Sequence, residues 1–332
     1  MPQPSSRRTP LALAALTLVV AACQSAYPYD AKTPDEIQAD ARADIERRDA
    51  SSALTKLEYI RTKHPDYPDQ EGVDFKHAVA KKIQGRLWKA FVEFREFLEK
   101  YRASSYVHES AQHIYDIGTQ LIQSRSSFLG TGIFREADDG VLVLTYFAEQ
   151  FPNHPSLDAA LRLMAGYKFE TGDYPGAIAD YDRIVKAHLE SPWHDFAEYR
   201  IAICHLRSVR RADLDQSELR KAYEALQSYL TFRTSGMRRE EVMAALRECT
   251  EKLSESEYRI GDFYRVLGKH FGAAQHFRLA ATQYPGTYWA VKAEEALAAL
   301  PPESGALTEA PRTVAPGSAS RPAADAAGTA PW

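Results

Sequence analysis

The chain has 332 residues, of which 45% are hydrophobic and 26% are charged, a balance typical of a globular protein. Its net charge is −4 and it has no long basic run, which argues against a protein that binds nucleic acid through a clustered positive face. Its three cysteines are too few for a disulfide framework in a chain of this size.

The first 22 residues predict a signal peptide. Arg7 and Arg8 supply its positive charges, and the apolar run Leu11–Ala22 is too short to cross a bilayer as a helix. Small or aliphatic residues lead directly to Cys23, a pattern that resembles a bacterial lipobox. We therefore expect Cys23 to become the first mature residue and to carry acyl chains such as palmitate, each buried CH₂ adding about 0.8 kcal/mol of membrane affinity. The alternative is an ordinary secretory leader with a chance cysteine.

Two segments flank the expected folded part, 34–300. Residues 23–33 are interpreted as a lipidated tether. Residues 301–332 are rich in Ala, Pro, Ser and Gly, which predicts a disordered tail because such a segment cannot bury enough apolar surface to offset its ordering entropy. Gln24 stands where an aspartate usually retains lipoproteins at the inner membrane, so we expect an outer-membrane protein facing the periplasm.

A five-position pattern recurs six times in the folded part. It has a small residue, apolar residues one, four and seven positions after it, and an aromatic residue or histidine eleven positions after it. At 100° per residue these positions fall within a helical stripe about 120° wide. The copies begin at Ala53, Ala90, Gly140, Ala177, Ala222 and Ala273; His188 closes the fourth copy, and Arg233 takes the closing place of the fifth.

A second amphipathic helix precedes the copies, and short turns with Gly172 and Gly268 link helices into pairs. Successive copies are 37, 50, 37, 45 and 51 residues apart, close to the tetratricopeptide period of 34 plus insertions. One pair cannot bury its own stripe, whereas stacked pairs share a core. We therefore predict an all-α, tetratricopeptide-type helix-hairpin solenoid of about six repeats, with a generic helical bundle as the alternative. The predicted faces of three preceding helices are Leu157, Leu161 and Met164; Phe196, Tyr199, Ile203 and Leu206; and Leu253, Ile260, Tyr264 and Leu267.

The sequence contains no convincing catalytic or metal-binding motif. His108 and His113 are five residues apart, which places them 140° apart on a helix, whereas a zinc motif spaces its histidines by four. No nucleophile elbow appears. We predict a protein that is not an enzyme and needs no cofactor and no metal ion. Cys204 and Cys249 could pair in the oxidising periplasm or remain two buried thiols.

The segment Glu251–Tyr264 resembles a helix of the BamD family, lipoproteins of the outer-membrane β-barrel assembly machine. Its residues follow the family's order of basic–Leu–x–x–x–Glu–Tyr–x–aliphatic–x–x–aromatic–Tyr. A short turn follows, and then a helix that ends in Tyr284-Pro285-Gly286-Thr287, as in the family. The resemblance covers about Phe134–Leu300, so residues 130–300 are assigned to BamD-like repeats and residues 34–129 to N-terminal repeats.

This resemblance implies a scaffold that takes part in the assembly and insertion of β-barrel outer-membrane proteins. The implied partners are a barrel-insertion protein with periplasmic repeats, bound by the C-terminal repeats, and unfolded outer-membrane protein clients. Lys252, Glu257 and Tyr258 of the shared motif are the candidate partner-binding residues. The alternative is another periplasmic tetratricopeptide lipoprotein adaptor, in pilus assembly or in the cell envelope and division. The family typically has five repeats, so the sixth repeat expected here, at the N-terminal end, favours this alternative.

We predict that Cys23→Ser leaves the protein folded and releases it from the membrane, because the acyl chains are the expected anchor. Fractionation of cells that express the variant should move it from the membrane pellet to the soluble fraction. Persistent attachment to membranes would contradict the lipid anchor.

Overall fold

The computed structural model describes residues 29–124, 135–187, 189–209, 216–232 and 238–301, and every regular element in these ranges is an α-helix. The predicted signal peptide, Cys23, tail residues 302–332 and the pattern positions His188 and Arg233 lie outside them. The helices are α1 (Pro34–Glu46), α2 (Ala50–Lys63), α3 (Gln70–Ile83), α4 (Leu87–Lys100), α5 (Val107–Ser124), α6 (Arg135–Gln150), α7 (Leu157–Glu170), α8 (Tyr174–Ala187), α9 (His194–Ser208), α10 (Gln216–Phe232), α11 (Arg239–Val266), α12 (His270–Gln283) and α13 (Tyr288–Ala298).

These helices pack pairwise in two compact units, which meet in sequence between Ala197 and Glu198. In the first unit α1–α2, α3–α4, α5–α6 and α7–α8 form hairpins, and α2 packs on α3, α4 on α5 and α6 on α7. In the second unit α11 packs against α10, α12 and α13, and α12 also packs against α13. This tetratricopeptide-like pairing confirms the predicted fold class. The predicted domain boundary between residues 129 and 130 stays a prediction.

The repeated pattern identifies the second helix of each expected pair, since its six copies lie on α2, α4, α6, α8, α10 and α12. The small first residue is buried in every copy. The position one residue later is only half-buried in four copies, because it lies at the edge of the stripe. The residues four and seven positions after the small residue form the buried centre of the stripe. They are Leu57 and Ile60, Phe94 and Phe97, Leu144 and Phe147, Tyr181 and Ile184, Leu226 and Tyr229, and Phe277 and Ala280.

The α5–α6 hairpin shows why the first position must be small. A Cβ atom on Gly140 would lie 2.9 Å from the backbone nitrogen of Ile122 and 3.0 Å from the carbonyl oxygen of Gly118. Backbone atoms cannot rotate away as a side chain can, so the two helices can approach this closely only over a glycine.

α9 and α10 are packed more loosely. A cavity of about 400 Å³ lies between them, lined by Ile201, Tyr229 and Phe232 among others. The Nδ1 atom of His205 lies 2.7 Å from a carboxylate oxygen of Glu218 and links the two helices.

We predict opposite effects from alanine at two helical glycines of the first unit. Gly140→Ala should lower the free energy of unfolding by about 1–3 kcal/mol, because the new methyl group meets backbone. Gly166→Ala, in α7, places its methyl group in open space and should raise it by about 0.5–1 kcal/mol through helix propensity. Urea unfolding followed by circular dichroism measures both; equal effects would contradict the close approach of α5 and α6.

Candidate protein-binding surface

Four of the hairpin turns share one backbone geometry. Arg48, Gly85, Gly172 and Gly268 each adopt a positive φ, between 61° and 84°, and end the first helix of a hairpin. At Gly268, its own N–H donates to the carbonyl of Arg265 at 3.0 Å, and the N–H of Lys269 donates to that of Tyr264 at 2.9 Å. The other three turns repeat these two bonds at the same spacing. This is the helix C-terminal motif in which a left-handed residue satisfies the last carbonyls.

The α11–α12 turn differs from the others in its side chains. Four large apolar side chains are exposed there, Phe263 by 61%, Val266 by 71%, Leu267 by 51% and Phe271 by 42%. We call these four residues the α11–α12 tip. Large exposed apolar patches are typical of surfaces that bind other molecules, so the tip is the candidate binding surface.

The other described turns of this geometry show that the repeat does not require an apolar tip. The two residues before the left-handed residue are Val266-Leu267 at the tip, but Glu46-Arg47, Ile83-Gln84 and Glu170-Thr171 in the other three turns. Two of these turns are polar at both positions and the third is polar at one, yet all three adopt the same backbone geometry. Turn formation therefore does not require Val266 and Leu267.

One face of α11 continues from the tip toward Lys252. At 100° per residue, Lys252, Arg259, Phe263 and Val266 fall within about 60° of one another. Arg259 is exposed and pairs with Glu255 at 2.6 Å. Lys252 is half-buried and forms no ion pair among the described residues. The predicted contact Lys252 therefore shares a helix face with part of the apolar tip.

Glu257 lies inside the second unit. Its side chain is buried, with 5% of the residue exposed, and one carboxylate oxygen lies 2.7 Å from Nδ1 of His276 on α12. Gln216 of α10 donates to its other oxygen at 3.4 Å and to the hydroxyl of Ser256 at 2.7 Å. The ring of His276 also stacks on Tyr264, with centroids 5.6 Å apart. Glu257 therefore joins α10, α11 and α12 from within.

Tyr258 is half-buried on the side of α11 that faces α12 and α13. Its ring centroid lies 5.4 Å from that of Phe277 and 5.0 Å from that of Trp289. Thr287 caps α13 and donates to the hydroxyl of Ser254 on α11 at 2.8 Å. The structure thus places Lys252 on an open face, whereas Tyr258 and Glu257 pack against neighbouring helices.

The prediction that Leu267 lines the packed face of α11 is wrong. Leu253 on that face is buried, Ile260 and Tyr264 are half-buried, and Leu267 is exposed. Burial decreases along this face because α11 runs on to the turn, where Leu267 is already the C-cap residue. Of the four residues of the tip, periodicity assigned only Leu267 to a packed face.

The two remaining cysteines are separate buried thiols. The Sγ atom of Cys249 donates to the carbonyl of Leu219 at 3.2 Å, and Cys204 is also buried and unpaired. Burial raises the pKa of both thiols to about 12. Of the two alternatives, the structure therefore supports unpaired thiols.

In the part of the chain that the structure describes, no three histidine, cysteine or acidic side chains are grouped closely enough to hold a metal ion. No helix in these ranges has the length and apolar character needed to cross a membrane.

Paired helices with repeated turns define this chain as a helical-repeat protein. The chain belongs to the YfiO family of outer membrane lipoproteins, whose family model matches residues 139–310, just over half of the chain. This confirms the predicted family and its outer-membrane location, and the family is one of non-enzymatic assembly scaffolds, as expected. The signal peptide and the acylation of Cys23 remain predictions.

The outer membrane protein assembly factor BamD of Caulobacter vibrioides is 26% identical over 162 residues, which are 48% of this chain and 51% of that protein. The chain therefore spans about half the length of this curated relative. A tetratricopeptide repeat protein from Parabacteroides merdae matches 80% of this chain and 97% of its own, with 14% identity and a TM-score of 0.35. The C-terminal part of a repeat protein from Cytophaga hutchinsonii matches 76% of this chain and 97% of its own, with 10% identity and a TM-score of 0.31.

We predict that Glu257→Ala lowers the free energy of unfolding of the second unit by about 1–3 kcal/mol, because it leaves the side chains of His276 and Gln216 without the carboxylate that accepts their hydrogen bonds. Glu255→Ala, which removes the exposed pair with Arg259, is the matched control and should cost less than about 1 kcal/mol. Urea unfolding gives the size of the loss, and hydrogen exchange of α11 and α12 locates it. Unchanged stability together with lost partner binding would instead make Glu257 a direct contact.

Proposed function

We propose that this protein is a lipid-anchored scaffold for the assembly of β-barrel outer-membrane proteins and that it acts by protein–protein binding. Three observations support this function: the membership of the YfiO family, the likeness to an assembly factor of Caulobacter vibrioides, and the exposed α11–α12 tip within the matched range. The tip is the observation that carries a binding mechanism, since it presents apolar groups to solvent at a position where the repeat tolerates polar ones.

The tip has the chemistry of a binding hot spot. Fully burying a valine, leucine or phenylalanine side chain is worth about 1.5–3 kcal/mol, so a partner that covers the tip gains free energy from each of them. In the isolated chain these side chains remain exposed to water, so this stabilisation is available only when a partner binds. Arg265 beside them is already paired with Asp262 at 2.6 Å, whereas Lys269 forms no ion pair among the described residues. Apolar anchors with polar groups around them are the usual anatomy of a protein interface.

The partner at the tip is, in this proposal, the barrel-insertion protein with periplasmic repeats. The partner surface that would complement the tip is apolar at its centre. At its edge it carries carboxylates, which face Lys269 and, further along α11, Lys252. Glu257 and Tyr258 act through packing, since they fix α11 against α10, α12 and α13 and so hold the tip in place. Binding of unfolded outer-membrane protein clients completes the proposed role.

We predict that the double variant Val266→Glu and Leu267→Thr weakens partner binding by at least 30-fold, about 2 kcal/mol, as expected for a hot spot. The change copies Glu170-Thr171 of the α7–α8 turn, so the backbone geometry should survive and the free energy of unfolding should shift by no more than about 0.5 kcal/mol. Affinity purification of the tagged full-length protein from solubilised membranes, with quantification of the co-purified barrel-insertion protein, measures the effect.

The control variant is Leu142→Glu on α6, which replaces another exposed leucine, in the first unit, and should leave binding unchanged. Undiminished recovery with the tip variant would refute the tip as the binding surface. If the wild-type protein instead recovered pilus or cell-wall proteins, the adaptor function would replace the assembly function.

A further inference from the structure

The last residues of the predicted tether are packed against the first hairpin. Tyr29 packs on the apolar core of α1 and α2, and its ring meets that of Tyr59 edge-on at 5.7 Å. The hydroxyl of Tyr59 donates to a carboxylate oxygen of Asp30 at 2.6 Å. Lys32 pairs with Asp40 on α1, and its backbone N–H donates to the carbonyl of Tyr29 at 2.9 Å. We call residues 29–33 the strap.

The strap runs directly into α1. Thr33 caps this helix: its hydroxyl accepts from the backbone N–H of Glu36 at 3.3 Å, and the Glu36 carboxylate accepts from the backbone N–H of Thr33 at 2.8 Å. A reciprocal capping box of this kind fixes the direction in which the chain enters a helix. From Tyr29 onward, the chain is therefore joined to the first hairpin by side-chain and backbone bonds.

The docked strap sets how far the hairpin can stand from the lipid. A chain spans at most about 3.3–3.6 Å per residue, so six steps from Cys23 to Tyr29 reach roughly 20 Å. If the tether were unattached up to Pro34, eleven steps would reach roughly 38 Å. Docking of the strap therefore removes about half of the greatest possible distance between the lipid and the hairpin. The remaining distance is about the length of α2, which has 14 residues and is thus about 21 Å long.

One end of the hairpin lies next to the strap. α1 begins there and α2 ends there, followed by the loop to α3, where the hydroxyl of Tyr67 donates to Asp35 at 2.5 Å. The α1–α2 turn around Arg48 forms the opposite end. Lys32 and Lys63 at the first end are outnumbered by the carboxylates of Asp30, Asp35, Glu36, Asp66 and Asp69, so charge alone gives no attraction to anionic lipid. The length of the tether, and not electrostatic attraction, would set the position of the hairpin relative to the bilayer.

We propose that the strap holds the α1–α2 hairpin with its Pro34 and Lys63 end against the lipid headgroup surface. The proposal deepens the proposed function, because it rests on acylation of Cys23. The surface involved is the start of α1, the end of α2 and the α2–α3 loop, and its partner is a phospholipid bilayer.

The test measures energy transfer from a dye on the protein to labelled lipids. Full-length acylated protein, purified from membranes, is reconstituted into phosphatidylethanolamine–phosphatidylglycerol vesicles. Asp66→Cys places the dye at the strap end and Ser51→Cys at the turn end. Cys204 and Cys249 should stay unlabelled, since both are buried and their pKa is raised to about 12. The Asp66 dye should lie closer to the bilayer, by as much as about 20 Å, the length of α2.

Breaking the strap should release the hairpin. Tyr29→Ser combined with Tyr59→Phe removes the ring contact and the bond to Asp30. Because Lys32 remains paired with Asp40, the variant frees three further residues of chain and should move the Asp66 dye away by as much as roughly 10 Å. Tyr67→Phe is the matched control: it removes a tyrosine hydroxyl bond at the same end without freeing the tether, and should leave the distance unchanged. Distances that do not respond to the double variant would overturn the proposal.

A second variant leaves the strap and the fold untouched. Six Gly-Ser residues inserted after Pro28 lengthen the tether alone and should move both dyes away from the bilayer; no movement would also overturn the proposal. Failure of the lipid anchor is a separate outcome, because Cys23→Ser protein should not bind the vesicles at all. Bound Cys23→Ser protein would refute acylation as the source of attachment, whatever the dye distances.

Discussion

The structure depends on how closely the two helices of a hairpin approach each other. In the four turns of shared geometry, the left-handed residue stands five positions before the small residue that opens each copy of the pattern: Arg48 before Ala53, Gly85 before Ala90, Gly172 before Ala177 and Gly268 before Ala273. The turn sets the direction of the second helix, and the small residue allows the first contact. The apolar residues four and seven positions later can then bury completely. A large side chain at the small position would separate the helices and expose both stripes.

Much of this could be predicted from the sequence because it repeats. Leu57 and Phe277, for example, are buried because each lies at a fixed number of residues after a hairpin turn. That number can be read from the sequence. Three of the four left-handed positions are glycine, the residue that adopts positive φ without strain. Arg48 occupies the fourth, at a cost of roughly 1 kcal/mol, and no pattern of residue types identifies it. Its geometry becomes visible only through the bonds that it shares with the other turns.

The features that the sequence did not predict depend on how neighbouring helices are rotated against each other and on where each helix ends. Glu257 pairs with His276 across the α11–α12 hairpin, a contact fixed by the relative rotation of two helices and not by spacing along either of them. Leu267 has the right period for a core residue, but it lies past the part of α11 that other helices cover. The period of the apolar residues indicates which face of a helix is apolar. The length of the neighbouring helix determines how much of that face is buried.

Residues that packing of the repeats does not explain are the candidates for function in a repeat protein. Positions that obey the pattern in every copy are explained by packing, so they give no reason to expect a ligand. Val266 and Leu267 are not required by the repeat, because the same backbone turn carries Glu170 and Thr171 in another copy. Tyr29 and Asp30 stand before the first copy and still contact its core, which packing of the repeats does not require either. Comparing copies within one chain thus separates the residues that build the fold from the candidates for the proposed contacts with a partner and with a membrane.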